Sequence, residues 1–428
     1  MKNTRRDFLT KSTMGATMLA GGLVSCTPNQ KPQEETTDNN VAANYRLLDE
    51  AAAKPVLKAD LFAEPLLIDT LELLRYEDNF LCIVRTTDGA EGISVSNNMQ
   101  MVSLYPIFVN RLQPFFLGKD ARNIEALIEE VYVYQSNYKL QNLALWVPLA
   151  TIEFAILDLL GKLAQKSIGQ LIGTIHHPAV SVYQANNFRG KSAAESIELI
   201  KRDVEETKAK ALKFKVGGRM SNNADYPAGR SEELIPLVRK TFGDDMVIYA
   251  DSNGSYTVDE AIRIGKLIEE NRFDFYEEPV PFDWYEETRQ VADALSVPIA
   301  GGEQEPSMHQ FRWLLANNAL QVVQPDIFYF GGMIRSVKVA NMANALGTQC
   351  VPHISGSGLG YLYMMHFVSA IPNAGPYHEF KGFNSEIPFE CPTSTLESVD
   401  GTVTVPTGSG LGIDIDPEYI ARHKPVKA

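Results

Sequence analysis

The sequence predicts an α/β protein in which a β/α-barrel follows a small α+β domain, and three observations carry that expectation. At 428 residues the chain exceeds what one core usually supports, so a small domain attached to a large one is expected. From Val56 to Thr87 apolar and polar residues alternate, the period of antiparallel strands. Beyond Pro178 the rhythm changes to short apolar runs separated by helix-length intervals, the pattern of βα units.

The small domain is expected over residues 56–177. Ile68-Asp69-Thr70-Leu71-Glu72-Leu73 alternates, breaks at Glu77-Asp78-Asn79 and resumes at Phe80-Leu81-Cys82-Ile83-Val84; the tight-turn dipeptide Asp88-Gly89 leads to a third short strand near Glu91–Ser94. Ile124, Leu127, Ile128 and Val131 then fall at helical spacing, as do Leu149, Ile152, Ile156, Leu159 and Leu163 behind Pro148.

The barrel is expected over residues 178–380. Its strand candidates are Val180–Ala185, Ala211–Val216, Met246–Asp251, Phe273–Glu277, Val297–Glu303, Leu320–Asp326, Gln349–His353 and Tyr377–Phe380. An open doubly wound sheet is the competing architecture, but no Gly-rich dinucleotide fingerprint follows the first strand. Residues 381–428 are rich in Pro and Gly, contain no further βα unit and are expected to fold back against the small domain.

Residues 1–26 read as an export signal. Thr4-Arg5-Arg6-Asp7-Phe8-Leu9, with Lys11, resembles a twin-arginine signal, and the uncharged stretch from Ser12 to Ser25 is too short to span a bilayer. Leu23-Val24-Ser25-Cys26 resembles a bacterial lipobox, which would make Cys26 a lipid anchor and place the protein in the periplasm or cell envelope. Cleavage nearby to give a soluble exported protein is the alternative. The polar stretch that follows, taken as residues 27–55, reads as a tether. Cys82, Cys350 and Cys391 are odd in number and lack metal spacing, so no disulfide framework is expected. A formal charge of −14 with no basic run beyond the extreme N-terminus argues against nucleic-acid binding and for a small-molecule substrate.

The chemistry-bearing residues gather where strand runs end, the catalytic face of a barrel. Asp251, Glu277 and Glu303 each close such a run and follow one another at intervals of 26 residues. One βα unit recurs at that period, so the three are expected at equal depth on adjacent strands, roughly 4.8 Å apart. Converging carboxylates repel unless a cation lies between them. Oxygen-only ligands suit Mg²⁺, with Mn²⁺ second. Helix capping is the ordinary use of an acidic residue at a strand end, but three in register point to a metal.

Lys213-Phe214-Lys215 lies on the preceding strand, and alternation sends both lysines to one face. Facing inward, Lys213 would help Lys215 release its proton and act as a general base; a solvent-exposed pair is the plainer alternative. Asp326 ends the sixth run and His353 the seventh, so the carboxylate can fix the imidazole tautomer and leave the other nitrogen as acid or base. Glu379 ends the eighth, positioned either to hydrogen-bond a developing enolate oxygen or to form a rim salt bridge.

Lys-x-Lys, Asp, Glu-Glu-Pro, Gly-Gly-Glu, Pro-Asp and His, in this order and spacing, resemble the mandelate racemase subgroup of the enolase superfamily. The resemblance spans about residues 56–420 and includes Asp158-Leu159-Leu160-Gly161-Lys162 and Gly410-Leu411-Gly412-Ile413-Asp414-Ile415-Asp416. It implies a modified (β/α)₇β TIM barrel under an α+β capping domain and a homo-oligomer. It also implies metal ligation by Asp251, Glu277 and Glu303, bases at Lys215 and at His353 with Asp326, an electrostatic role for Lys213 and an enolate-side acid at Glu379. About seven extra residues within Gly217–Gly229, and a longer spacing from His353 to Glu379, alter loops at the active-site mouth. Asp326 stands where lactonising relatives carry a lysine, which argues against muconate-type and dipeptide-epimerase chemistry.

The expected reaction is Mg²⁺-dependent removal of the proton α to a carboxylate through an enediolate. Loss of a β-hydroxyl would make the enzyme an acid-sugar dehydratase. Return of the proton would make it a racemase or epimerase, and lactone or anhydro-sugar opening a cycloisomerase. An exported sugar-binding lipoprotein is the non-enzymatic alternative.

Overall fold

The computed structural model describes residues 34–355, 358–380, 382 and 387–427; the export signal over 1–26, including Cys26, lies outside them. Helix α1 (Glu34–Ala52) opens the described chain, and one compact unit runs from Val41 onward. Strands β1 (Ile68–Tyr76), β2 (Asn79–Thr86) and β3 (Glu91–Val95) form an antiparallel sheet. After them come α2 (Asn98–Ile107), α3 (Gln113–Phe116), α4 (Ile124–Val133), α5 (Leu143–Ala164) and α6 (Ile168–Ile172).

Helix α5 is long and apolar enough to cross a membrane, but 89% of its most apolar window is buried inside the protein. It lies so close to β3 that a side chain at Gly92 would strike the backbone of Ala155 and Leu159, which is why glycine stands there. Asn142 accepts from the Leu143 amide at 2.9 Å and starts the helix, five residues earlier than Pro148 suggested. A proline within the opening turns removes one backbone donor, a loss that extensive burial outweighs.

The barrel follows in strict alternation: β4 (Ala179–Ala185), α7 (Ala193–Thr207), β5 (Ala211–Lys215), α8 (Arg230–Phe242), β6 (Val247–Asp251), α9 (Val258–Glu270), β7 (Phe275–Glu277), α10 (Tyr285–Ala294), β8 (Ile299–Gly301), α11 (Met308–Ala316), β9 (Val322–Val323), α12 (Met333–Ala345), β10 (Gln349–Cys350), α13 (Gly360–Ala370) and β11 (His378–Phe380). Neighbouring strands from β4 to β10 pair in parallel, and β11 pairs with β4. Cys350 closes the ring by bridging to Ala374, just before β11. Eight strands with seven intervening helices make the expected (β/α)₇β barrel.

Period-two alternation fills the barrel interior. Tyr183, Ala211, Tyr249, Phe275, Ala300, Val322 and Val351 form one buried layer, with Tyr249 and Phe275 stacked at 3.8 Å between centroids. Residues two or four positions further along the same strands point the same way. On β5 these are Lys213 and Lys215, on β6 Asp251, on β7 Glu277; beyond β9 they are Gln324 and Asp326, and beyond β10 His353.

Two buried carboxylates on α5 join the domains. Glu153 accepts from the Met333 and Ile334 amides at 2.6 and 3.1 Å, satisfying orphan donors at the start of α12. Asp158 accepts from Ile93 and Leu411, both at 2.9 Å. The C-terminal segment adds β12 (Phe389–Glu390), which pairs with β14 (Asp414–Ile415), and β13 (Thr402–Thr404), antiparallel to β4; α14 (Pro417–Arg422) then leads to β15 (Lys424–Pro425), antiparallel to β1.

The tether expected across residues 27–55 is corrected over 41–52, where the chain is helical and docked. Val41, Tyr45, Leu48 and Ala52 repeat at helical spacing and pack on the core, Leu48 completely buried. Arg312 of α11 forks onto Asp49 at 2.6 and 2.7 Å and stacks on the Tyr45 ring at 4.1 Å. The polar composition of residues 27–40 gives way at Val41 to an apolar stripe. Leu48→Ala is expected to cost about 2–4 kcal/mol in denaturant unfolding, whereas Asp49→Ala, at an exposed pair, changes little; a freely moving tether would leave both silent.

Candidate active site

The barrel's C-terminal rim gathers every predicted site residue in one region. Lys215, Asp251 and Glu277 are Cα partners across β5, β6 and β7, so these three share one level. Glu303 does not. Ala300 is the partner of Glu277, and Glu303 lies beyond the end of β8, after Gly302 at φ 112°, a backbone conformation suited to glycine. The equal-depth expectation thus holds for two carboxylates, while a glycine turn brings in the third.

Lys213 is the centre of the cluster. Its ammonium is buried and lies 2.8 and 2.9 Å from the two Glu277 oxygens and 3.8 Å from both Asp251 and Glu379, above the Tyr183 ring at 5.3 Å. Burial opposes the charge, but the surrounding Glu277, Tyr183, Glu379 and Asp251 outweigh it and raise the amine's pKa. Lys215 pairs directly with Asp251. Asp251 is held low because Lys215 and Lys213 overcome the cost of its burial, whereas burial and the Asp251 charge push Glu277 up.

Across the rim, His353 Nδ1 lies 2.7 Å from Asp326 and its Nε2 lies 3.3 Å from Glu303 and 4.0 Å from Glu379. Asp326 is itself fixed by the Phe328, Tyr329 and Ser355 amides at 2.8, 2.8 and 2.7 Å. Burial favours the neutral ring, but Glu303, Asp326 and Glu379 prevail and raise the imidazole to about 10. Lys213, Lys215, Glu303, His353 and Glu379 line a single cavity of about 260 Å³ with Asn186, Asn187, Arg219, Gln304, Tyr329 and Ser355. Cavities of about 710 and 420 Å³ elsewhere contain none of the predicted groups.

Among the described residues no three acidic, histidine or cysteine side chains converge as a ready-made metal cage. Asp251 and Glu277 turn to the lysines, and Glu303 turns to His353. The donor set nonetheless fits a hard divalent cation: it is oxygen-only and buried. Ammonium groups occupy the role between carboxylates that a cation would otherwise fill.

Residues 195–419 match the enolase C-terminal domain-like family, and residues 76–173 match the mandelate racemase / muconate lactonizing enzyme N-terminal domain. The chain belongs to the mandelate racemase subgroup of the enolase superfamily. As a member, it is an enzyme of the lyase or isomerase type. Similar proteins include the arabinonate dehydratase of Saccharolobus solfataricus, 26% identical over 80% of this chain and 89% of the relative. The D-galactarolactone cycloisomerase of Agrobacterium fabrum is 28% identical over 72% and 82%. A magnesium-complexed mandelate racemase/muconate lactonizing protein from Paracoccus denitrificans superposes with a TM-score of 0.76 at 25% identity, covering 85% of this chain and 99% of that one.

Two residues at or beside this site carry no signal in the motifs above. Gln324 donates to Glu277 at 2.8 Å, and its place two residues before Asp326 on the inward face was the available signal. Arg189 binds the carbonyls of Gly217 and Val216 at 2.8 and 3.1 Å and Asn253 at 2.9 Å, long-range contacts that no local pattern reveals. Replacing Lys213 with Met would remove the ammonium from both oxygens of the buried Glu277 carboxylate and is expected to destabilise the metal-free protein by about 3–5 kcal/mol, measured by denaturant unfolding; a loss under about 1 kcal/mol would contradict the bracing role.

Proposed function

We propose that this enzyme dehydrates an acid sugar to a 2-keto-3-deoxy acid by removing the proton α to the carboxylate. The observation that carries this reading is the cavity bounded by Lys215 on one side and the His353–Asp326 dyad on the other, lined mostly by polar residues with Met99, Ala185 and Ile354 among them. Its volume of about 260 Å³ lies below the range of pockets for drug-sized ligands, about 300–1,000 Å³, and its amides and hydroxyls match a hydroxylated chain rather than an aromatic one.

Asp251, Glu277 and Glu303 would hold Mg²⁺ or, second, Mn²⁺. Bound there, the cation supplies positive charge for the substrate carboxylate and for the negative charge that develops on it. Lys213 adds a fixed ammonium on the same side and keeps Glu277 and Asp251 in place. Lys215 is the base that takes the α-proton. His353, oriented through Nδ1 by Asp326, carries a proton on Nε2 for the departing β-hydroxyl. Glu379, in its protonated form, would donate a hydrogen bond to the enolate oxygen.

Epimerase or cycloisomerase chemistry on the same groups is the second reading, favoured by the similarity to the galactarolactone cycloisomerase. The twin-arginine motif and the Leu23–Cys26 sequence support export and lipid anchoring at Cys26. Incubating the purified enzyme with an acid-sugar panel is expected to give a 2-keto acid with Mg²⁺ and none after chelation. In the same assay Asp326→Asn lowers kcat by about 10²–10⁴. Turnover yielding only an epimer or an isomeric lactone would overturn the dehydratase reading, and undiminished turnover after chelation would overturn the metal assignment.

A further inference from the structure

Asn186 sits immediately beyond the end of β4, between the strand carrying Lys213 and Lys215 and the strand carrying Glu379. Its backbone is fixed, the amide donating to the Lys213 carbonyl at 3.1 Å. The side chain is 7% exposed and lines the active-site cavity, yet neither its Oδ1 nor its Nδ2 has a hydrogen-bond partner. Among the described residues it is the one side chain with two such orphaned atoms. Nearby amides are spent differently: Asn97 donates to Ser355 Oγ at 2.7 Å and accepts from the Gln100 amide at 3.2 Å, and Asn253 accepts from Arg189 at 2.9 Å and donates to Glu278 at 3.3 Å.

A buried amide with neither half satisfied destabilises the fold that holds it. An unspent donor and an unspent acceptor, side by side on a residue that lines the cavity, complement a group that offers both. A hydroxyl donates one proton and accepts through its lone pairs, so two neighbouring hydroxyls can take the carbonyl and the NH₂ together. We infer that Asn186 is a specificity-determining residue that binds a vicinal diol of the substrate chain, beside the carbon on which Lys215 and His353 act. The inference rests on the acid-sugar reading above and deepens it. It assigns to one residue the discrimination between a substrate with both hydroxyls and its deoxy analogues. A site built to hydrogen-bond a hydroxyl rejects the analogue that lacks it, because the site's own polar atoms then stay unpaired.

The test compares wild type with Asn186→Leu, which keeps the branched outline but is apolar, and Asn186→Ser, which keeps a donor and an acceptor. Without ligand, Asn186→Leu is expected to hold or raise Tm by about 1–3 °C, since an unsatisfied amide is removed. With the acid sugar that wild type turns over best, kcat/KM falls about 10–100-fold in Asn186→Leu and less in Asn186→Ser. Analogues lacking one hydroxyl each should cost wild type a comparable factor at two adjacent positions. Asn186→Leu should show no further loss at those two. A Tm lowered by more than about 3 °C in both variants, with all substrates impaired alike, would make Asn186 a structural residue and overturn the inference. So would equal deoxy discrimination in Asn186→Leu and wild type. If wild type turns over no acid sugar, the functional reading fails on its own, and the Tm comparison still decides whether the amide is held for a ligand or for the fold.

Discussion

The buried contact between Lys213 and Glu277, with Asp251 and Glu379 within 3.8 Å, is the interaction on which the site depends. A charged amine deep in a barrel is costly unless carboxylates surround it, and carboxylates that close together are costly unless a cation lies among them. Each group makes the other tolerable. The arrangement fixes the inward level of β5, β6 and β7, and from that level Lys215 reaches Asp251. Opposite, Asp326 performs the same service for His353, itself held by three backbone amides. The two halves of the site are thus separately braced and share Glu303 and Glu379 as neighbours.

The scaffold beneath explains why those groups arrive where they do. A layer of Tyr183, Tyr249 and Phe275 with smaller residues from the other strands fills the barrel floor, and the next inward positions on β5, β6 and β7 and just beyond β9 and β10 form a polar rim. Above it the capping domain is tied on by α5. Glu153 reaches the start of α12, and Asp158 binds both β3 and the C-terminal Gly410–Leu411 segment. Burial raises the pKa of both carboxyls against their amide donors, a cost expected of groups that hold two domains in one orientation.

The barrel was legible because its strands are short apolar runs at a regular interval, and every expected run overlaps an observed strand. The inward positions were legible too, since alternation along Tyr249–Asp251 or Phe275–Glu277 needs only local sequence. What escaped was set by non-local geometry or by glycine. Glu303 kept the 26-residue interval yet leaves the strand through the Gly302 turn, so periodicity gave its neighbourhood and misjudged its depth. Helix α1 was hidden because a Pro- and Asn-rich stretch leads into it, while its stripe of Val41, Tyr45, Leu48 and Ala52 is covered by residues far away in sequence, Arg312 among them. Asn186 carries no pattern at all; its two unsatisfied atoms are a property of what surrounds it.

The proposed chemistry rests on two proton-transfer groups flanking one carbon, Lys215 from the second barrel strand and His353 from the seventh. The most direct measurement is exchange of the substrate's α-proton for deuterium in D₂O with Mg²⁺ present, followed by NMR with each α-epimer of a competent acid sugar. Lys215→Ala should abolish exchange for one epimer and His353→Ala for the other, with the circular dichroism of both variants unchanged. Exchange of both epimers persisting in either variant would contradict the two-sided arrangement.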